Sequence, residues 1–438
     1  MRQLRYAGQR KSSAAIFVLM LVACLGAWSG PAATTAVEAP SAGKGFYLKD
    51  GDRVVFYGDS ITDQRLYTTF VESYVVARFP RLNVSFVHSG WGGDRVTGGG
   101  GGPIDVRLRR DVIAYKPTVM TIMLGMNDGS YRAYDQQIFT TYAEGYQHIL
   151  DVVKSALPGL RITVIEPSPF DDVTRAPQFP GGYNAVLVRY SEFVKQLGGR
   201  EGLTVADMNT PLVAALEKAK AADAELAAKI LPDRVHPGPG GHLIMAEALL
   251  RAWNAPATVS AVEIDAAAKR VVHAENATIT ELQEDNSVKW TELDQALPMP
   301  VDLKDPVVEL ALRSSDFVRA LDQEALKVTG LTAPSYQLKI DGEDAGRFSK
   351  QQWAEGINLA LLATPMARQA MAVHELTVKH NNVHFARWRN VEVPLNDVPS
   401  PDKQAALAAL DKVEADLIVE QHAAAQPKPR HFELVPAP

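Results

Sequence analysis

Four short blocks of this chain hold side chains that suit one another's chemistry. Ser60 closes the triplet Gly58-Asp59-Ser60, and a hydroxyl placed where a strand ends is a candidate nucleophile. Asp233 and His236 stand three residues apart in Asp233-Arg234-Val235-His236-Pro237, an acid beside an imidazole, which is the pairing that general acid–base catalysis uses. Asn127, in Gly125-Met126-Asn127-Asp128, offers a carboxamide donor. Gly93, in Ser89-Gly90-Trp91-Gly92-Gly93-Asp94-Arg95, offers backbone N–H groups that a ligand can approach closely, because glycine has no Cβ. Taken alone, Gly-Asp-Ser reads equally well as a helix cap, since Asp and Ser are the residues that most often satisfy the first free N–H groups of a helix.

The elements that must hold these blocks alternate along the chain. Apolar, β-branched runs predict strands at Arg53–Tyr57, Asn83–His88, Val119–Leu124, Ile162–Glu166 and Thr204–Ala206. Amphipathic patterns predict helices near Arg65–Phe79, Ile104–Tyr115, Gln136–Ala156, Asn184–Leu197, Leu212–Lys229 and Gly241–Trp253. Strands separated by covering helices imply an α/β fold, a three-layer α/β/α domain on a five-stranded, mainly parallel sheet. In such sheets ligands bind at the carboxyl ends of the strands. Ser60, Gly93 and Asn127 each follow a strand, and Asp233 and His236 precede the last helix, so all five are offered by loops along one edge of one sheet.

The four blocks, in this order and at these strand ends, resemble the SGNH or GDSL hydrolases over about Val54 to Trp253. The resemblance implies a flavodoxin-like hydrolase domain that cleaves esters through an acyl-serine intermediate. Ser60 would be the nucleophile, His236 the general base and Asp233 the acid that orients the imidazole. The oxyanion would be held by the backbone N–H groups of Ser60 and Gly93 and by the side-chain amide of Asn127. The export pattern described below, the absence of a long apolar lipid-binding run in the mature body and the polar residues around Gly93 point to a small acyl ester as substrate, acetyl on carbohydrate first, with a small molecule or a polysaccharide as partner. A longer-chain lipase and a catalytically silent glycan-binding surface protein are the alternatives.

Other residues add less. His242 follows Gly240-Gly241 at the start of an apolar helix, where it packs or caps, and its spacing from Asp233 and His236 fits metal motifs loosely. His88 has the same structural reading. No cofactor and no metal is expected. The Gly98–Gly102 run, with no Lys-Ser or Lys-Thr after it, reads as a mobile loop beside the site, not as a phosphate cradle. The long connection Ser168–Tyr183, with three aromatics, reads as a pocket wall or as an ordinary loop. Arg95 reads either as a contact for a polar substrate group or as a surface ion pair.

Acidic residues outnumber basic ones by 51 to 45, so charge gives no support to nucleic-acid binding. Apolar residues at 46% and charged residues at 22% are ordinary globular values. Residues 1–29, with Arg2, Arg5, Arg10 and Lys11 before an apolar run from Ala14 to Trp28, have the pattern of an export signal. The only cysteine, Cys24, ends the lipobox-like Leu21-Val22-Ala23-Cys24 and is either a lipidation site or a small apolar residue of a signal cleaved later. A periplasmic, cell-surface or secreted location follows, with membrane contact only through that possible anchor. Residues 30–44 read as a disordered linker and residues 45–255 as the hydrolase domain. Residues 256–400 read as a smaller α+β extension, and 401–438 as a helix and an extended tail. Within the extension the patterns predict strands at Thr258–Ile264 and Tyr336–Ile340, a turn at Asp341-Gly342, and helices at Gln351–Leu362, Met366–Arg389 and Asp402–Gln421.

Overall fold

The computed structural model describes residues 45–437, so the export signal and Cys24 lie outside the described residues. Strand β1 (Arg53–Gly58) is a run of Val, Phe and Tyr buried from Val54 onward. It runs directly into a short helix, α1 (Ser60–Asp63), and then into α2 (Leu66–Arg78). Strand β2 (Ser85–Gly90) follows, and then a tight hairpin of β3 (Gly98–Gly99) and β4 (Gly102–Pro103). Helix α3 (Ile104–Asp111), β5 (Val119–Met123), α4 (Gln136–Ala156), β6 (Arg161–Glu166), α5 (Asn184–Glu201) and β7 (Thr204–Asp207) complete the alternation. Helices α6 (Thr210–Ala222), α7 (Ala224–Ala227) and α8 (Pro239–Ala252) close it.

The five main strands pair in parallel in the order β2-β1-β5-β6-β7. With helices flanking the sheet, this is the three-layer α/β/α architecture expected. The order reverses at β1, because the chain leaves it first for β2 on one side and then for β5 on the other. The carboxyl end of β1 is therefore the topological switch point where such sheets bind ligands. Strand β2 begins two residues later than expected, because the N–H of Asn83 is taken by Asp50 in the preceding turn, not by the ladder. The Gly98–Gly102 run is a hairpin closed on itself, and a Cβ at Gly101 would collide with Trp91 and Arg107.

The C-terminal region is a second body of β and α structure on the same chain. Strands β8 (Thr258–Asp265), β9 (Arg270–Glu275), β10 (Ala277–Glu284) and β11 (Val288–Asp294) precede α9 (Pro306–Arg313) and α10 (Phe317–Leu321). Strands β12 (Gln323–Thr329), β13 (Ser335–Ile340) and β14 (Glu343–Ser349), α11 (Lys350–Glu355) and β15 (Ile357–Asn358) follow. The long helices α12 (Pro365–Phe385) and α13 (Pro401–Ala424) then pack together, and β16 (Arg430–Ala437) ends the described chain.

One sheet has the order β10-β11-β16-β13-β14 and the other β15-β12-β8-β9. The helix expected over Gln351–Leu362 stops after Glu355, because Gly356 takes φ 99 and ψ 144, a conformation outside the helical well that only glycine adopts readily. The helix expected over Met366–Arg389 is α-helical as far as Phe385 and then widens into a π-helical stretch, Ala386–Glu392. The extended tail is a strand in the middle of a sheet, paired with β11 on one side and β13 on the other.

Two buried apolar clusters result. One fills the α/β/α layers and takes in Val308, Leu310, Phe317 and Leu321 of α9 and α10, and the second lies among the C-terminal sheets and the remaining helices. Helix α2 contributes to both: Val71 and Tyr74 belong to the first, Val76 and Ala77 to the second.

Candidate active site

Ser60 begins α1 immediately beyond β1. Asp59 is the N-cap, and its Oδ1 accepts the N–H of Ile61 at 3.0 Å, so the cap and the exposed hydroxyl belong to the same turn. Burial pushes the Asp59 carboxyl up to about 7, with Asp128 and Asp94 adding to the rise and the Ile61 N–H opposing it. The turn is tightly backed: a Cβ at Gly90, where β2 ends, would overlap the Asp63 backbone.

Asp233 and His236 reach Ser60 from the loop before α8. The Ser60 hydroxyl donates to His236 Nε2 at 2.8 Å, and His236 Nδ1–H donates to Asp233 Oδ2 at 2.7 Å. The other Asp233 oxygen accepts the backbone N–H groups of Val235 and His236 at 2.9 and 2.7 Å, which curls the segment so that acid and imidazole face each other. Burial would raise the Asp233 carboxyl, but these hydrogen bonds from His236 and Val235 hold it below the usual carboxylate value. A carboxylate on Nδ1–H fixes the tautomer that leaves Nε2 free to accept a proton. The Asp233 side chain is 56% exposed and that of His236 32%, so the line opens to solvent.

The connection 168–183 braces this loop. Arg175 donates to the carbonyls of Leu231 and Pro232 at 2.8 Å and of Ala228 at 3.0 Å, and the Asp171 N–H donates to the Arg234 carbonyl at 2.9 Å. Its aromatics Phe170 and Tyr183 pack on each other and on Tyr131.

The donor groups converge from two further loops. Gly93 has φ 78, in the left-handed region, and next to it a Cβ at Gly92 would come within 4.0 Å of the Ser60 Cβ. The Gly92 N–H is held by Asp63 Oδ2 at 3.1 Å. Asn127 has its amide orientation set from both ends, since Tyr131 donates to Oδ1 at 2.9 Å and Nδ2 donates to the Asp94 carbonyl at 3.0 Å. One Nδ2 hydrogen remains for a ligand. The two loops are tied together by Asp128, whose Oδ1 accepts the Val96 N–H at 2.9 Å.

Ser60, Asp233 and His236 border an open cleft of ≈ 640 Å³ that is also lined by Asp63, Arg65 and, from the end of α12, Phe385. Arg65, which has φ 59, lays its guanidinium over the Phe385 ring at 4.3 Å. His242 is structural, as expected: Nδ1 accepts the Tyr67 N–H at 3.2 Å, Nε2 meets Gln64 Oε1 at 2.9 Å, and burial lowers its pKa to about 3. His88 is buried against Thr68 and Glu72. Among the described residues no group of three or more His, Cys, Asp or Glu side chains is arranged to hold a metal. The structure thus brings Ser60, Asp233 and His236 into one hydrogen-bonded line, with Gly93 and Asn127 on neighbouring loops. Tyr131, Arg175 and Phe385 carry no sequence signal of their own, since nothing local marks a phenol, a guanidinium or a phenyl ring as reaching a loop far away in the chain.

A serine, an imidazole and an acid at the switch point of a parallel α/β/α sheet define an SGNH-type hydrolase. Residues 56–244 match the model of the GDSL-like lipase/acylhydrolase family. An acetylxylan esterase from Geobacillus stearothermophilus is 27% identical over 222 residues, which cover 47% of this chain and 94% of that enzyme. A gut microbial diltiazem-metabolizing enzyme of known structure superposes with a TM-score of 0.77 at 26% identity, covering 89% of this chain and 98% of that one. The likeness to the first is confined to about half the chain, whereas the second includes the C-terminal body. The protein is a carboxylic ester hydrolase.

Proposed function

We propose that this enzyme removes small acyl groups, acetyl first, from hydroxyl groups of carbohydrates through an acyl-Ser60 intermediate. The observation that carries the reading is the unbroken line from Ser60 Oγ through His236 to Asp233 at the mouth of an open cleft with charged residues on its rim. Support for the substrate class comes from the similarity to an acetylxylan esterase.

In this reading Ser60 Oγ attacks the acyl carbonyl while His236 Nε2 takes its proton. The tetrahedral oxyanion faces the N–H groups of Ser60 and Gly93 and the remaining Nδ2 hydrogen of Asn127, donors fixed before the charge develops. Collapse expels the alcohol, protonated by His236. Water, deprotonated by the same imidazole, then attacks the acyl-serine and releases the acid. Asp233 holds the imidazole in the productive tautomer and steadies the imidazolium.

The test compares hydrolysis of p-nitrophenyl acetate with that of p-nitrophenyl palmitate, and measures acetate release from acetylated xylan. Faster turnover of acetate and release from the polymer are expected. Preference for palmitate overturns the substrate class. The basic and apolar pattern of residues 2–28 supports export as part of the same proposal. The mass of the mature N-terminus distinguishes a lipidated Cys24 from a plain cleavage, and protein found only inside the cell with Met1 and the following residues intact overturns the export reading.

A further inference from the structure

The loop Trp91–Asp94, which carries Gly93, is held from both halves of the molecule. On the hydrolase side, Arg107 Nε donates to Asp94 Oδ2 at 2.6 Å and Nη2 donates to the Ser89 carbonyl at 2.8 Å. The same guanidinium pairs with Asp111, and all three charged side chains are buried. Asp63 takes the Gly92 N–H. A carboxylate with this many ties sets the loop only if its own position is fixed.

That fixing comes from the π-helical stretch Ala386–Glu392. Trp388 Nε1 donates to Asp111 Oδ1 at 2.7 Å, the end of the line Asp111–Arg107–Asp94. Arg389 Nη2 lies 3.9 Å from Asp63 Oδ2, and the Arg389 guanidinium covers the Trp91 ring at 3.0 Å from its centroid. Trp388 meets Trp91 edge-on, with centroids 5.6 Å apart at 86°. The widening of the helix matters here, since a π turn shifts every side chain after it relative to the α-helical phase, and such turns recur at functional sites. Two consecutive residues thereby reach the two carboxylates that flank the loop.

We propose that Trp388 and Arg389 are positioning residues for ester hydrolysis, fixing the Gly92–Gly93 loop so that its N–H groups point where the oxyanion forms. The inference rests on the assignment of Ser60 and Gly93 made above. The C-terminal body is then part of the active site, acting through the loop without touching the reacting atoms. Displacing an oriented group by about 1 Å from a remote site costs up to about 100-fold in rate, whereas none of residues 91–94 lines the cleft, so KM is expected to change little.

The experiment measures kcat, KM and Tm for full-length Trp388→Phe, which keeps an aromatic ring but lacks the donor, and Arg389→Met, each alone and combined with Asn127→Ala. Expected are falls in kcat of about 10- to 100-fold, KM within about twofold, and losses in the double variants smaller than the product of the single ones, because the Asn127 amide and this loop stabilise one oxyanion and share the Asp94 carbonyl. Unchanged kcat in both single variants overturns the proposal. So do losses that appear only with a large fall in Tm and multiply independently with Asn127→Ala. Ser60→Ala is run beside them: if it retains wild-type turnover, the catalytic assignment itself fails, and if it is inactive while both positioning variants are normal, only this inference fails.

Discussion

Helix α2 joins the α/β/α body and the C-terminal body by two different kinds of surface. Toward the sheet it offers Tyr67, Val71 and Tyr74, an apolar face that packs by volume and tolerates change of shape. Toward the C-terminal region it offers, beside Phe70, which stacks on His374, and Val76 and Ala77 of the second cluster, the polar residues Thr69, Glu72 and Ser73, each with a named partner. Asn381 donates to Thr69 at 3.1 Å, His380 meets Glu72 at 2.6 Å, and Ser73 meets His374 at 3.0 Å. Arg78 ends the helix by donating to the carbonyls of Pro256, Thr258 and Leu321. An apolar joint would hold the two bodies together in several registers. A buried polar joint penalises every register in which a group loses its partner, and the π-helical stretch can act on the Gly93 loop only in one register.

The largest expected effect falls on the chemical side of this comparison. Ser60→Ala should lower kcat by about 10⁴-fold or more, with Tm unchanged, because the half-buried hydroxyl supports no packing. A fall in Tm in that variant would mean that the site and the fold are not separable as described.

Next comes the joint. Glu72→Ala removes the buried carboxylate that His380, His88 and Asn381 share, and breaking a buried pair from one side costs about 3–5 kcal/mol. Thermal or urea unfolding would measure it, and a loss below 1 kcal/mol would show the polar joint to be dispensable. The pair also sets a pH signature. Burial alone would lower the His380 imidazole, but Glu72 and Glu414 push it up to about 10, with His88, His374, His384 and His422 the other ionisable groups facing these residues. A raised imidazole contributes stability that is complete below its unfolded value near 6.5 and is lost as pH rises through about 10. The wild-type protein should therefore lose stability between those limits, and Glu72→Ala should flatten the slope.

Asn127→Ala should cost about 10²- to 10³-fold in kcat with little change in KM or Tm. A KM effect alone would move Asn127 from oxyanion stabilisation to substrate binding. The smallest effect is expected at Val419, the most exposed of the large apolar side chains at 69% on α13. Val419→Ser should change stability by less than about 0.5 kcal/mol and leave turnover alone, which would separate the exposed face of the C-terminal helices from the face that meets α2.

Strand and helix types were readable wherever the signal is local. The alternation of buried apolar runs with amphipathic helices sufficed for the parallel sheet, and Gln136–Ala156 matches α4 to the residue. The Asp-x-x-His spacing was readable for the same reason, because one turn presents both side chains. The C-terminal strands β9, β10 and β11 were not, since β9 is exposed along most of its length, β10 is interrupted by a bulge between Thr280 and Gln283, and the buried positions of β11 include Glu292 and Asp294. The break at Gly356 needed a backbone conformation that a helical pattern in the flanking residues conceals.

Residue types and spacing by themselves singled out the candidate parts of the site, Ser60, Gly93, Asn127, Asp233 and His236, and determined the class of sheet that carries them. Only the tertiary structure decided that β16 lies between β11 and β13, that Glu72 meets His380 308 positions away, that Phe385 lines the Ser60 cleft, and that Trp388 and Arg389 reach Asp111 and Asp63. Local periodicity records which face of an element is apolar. It does not record which distant element will cover a polar face, because that depends on pairing between side chains that the chain brings together only when it folds.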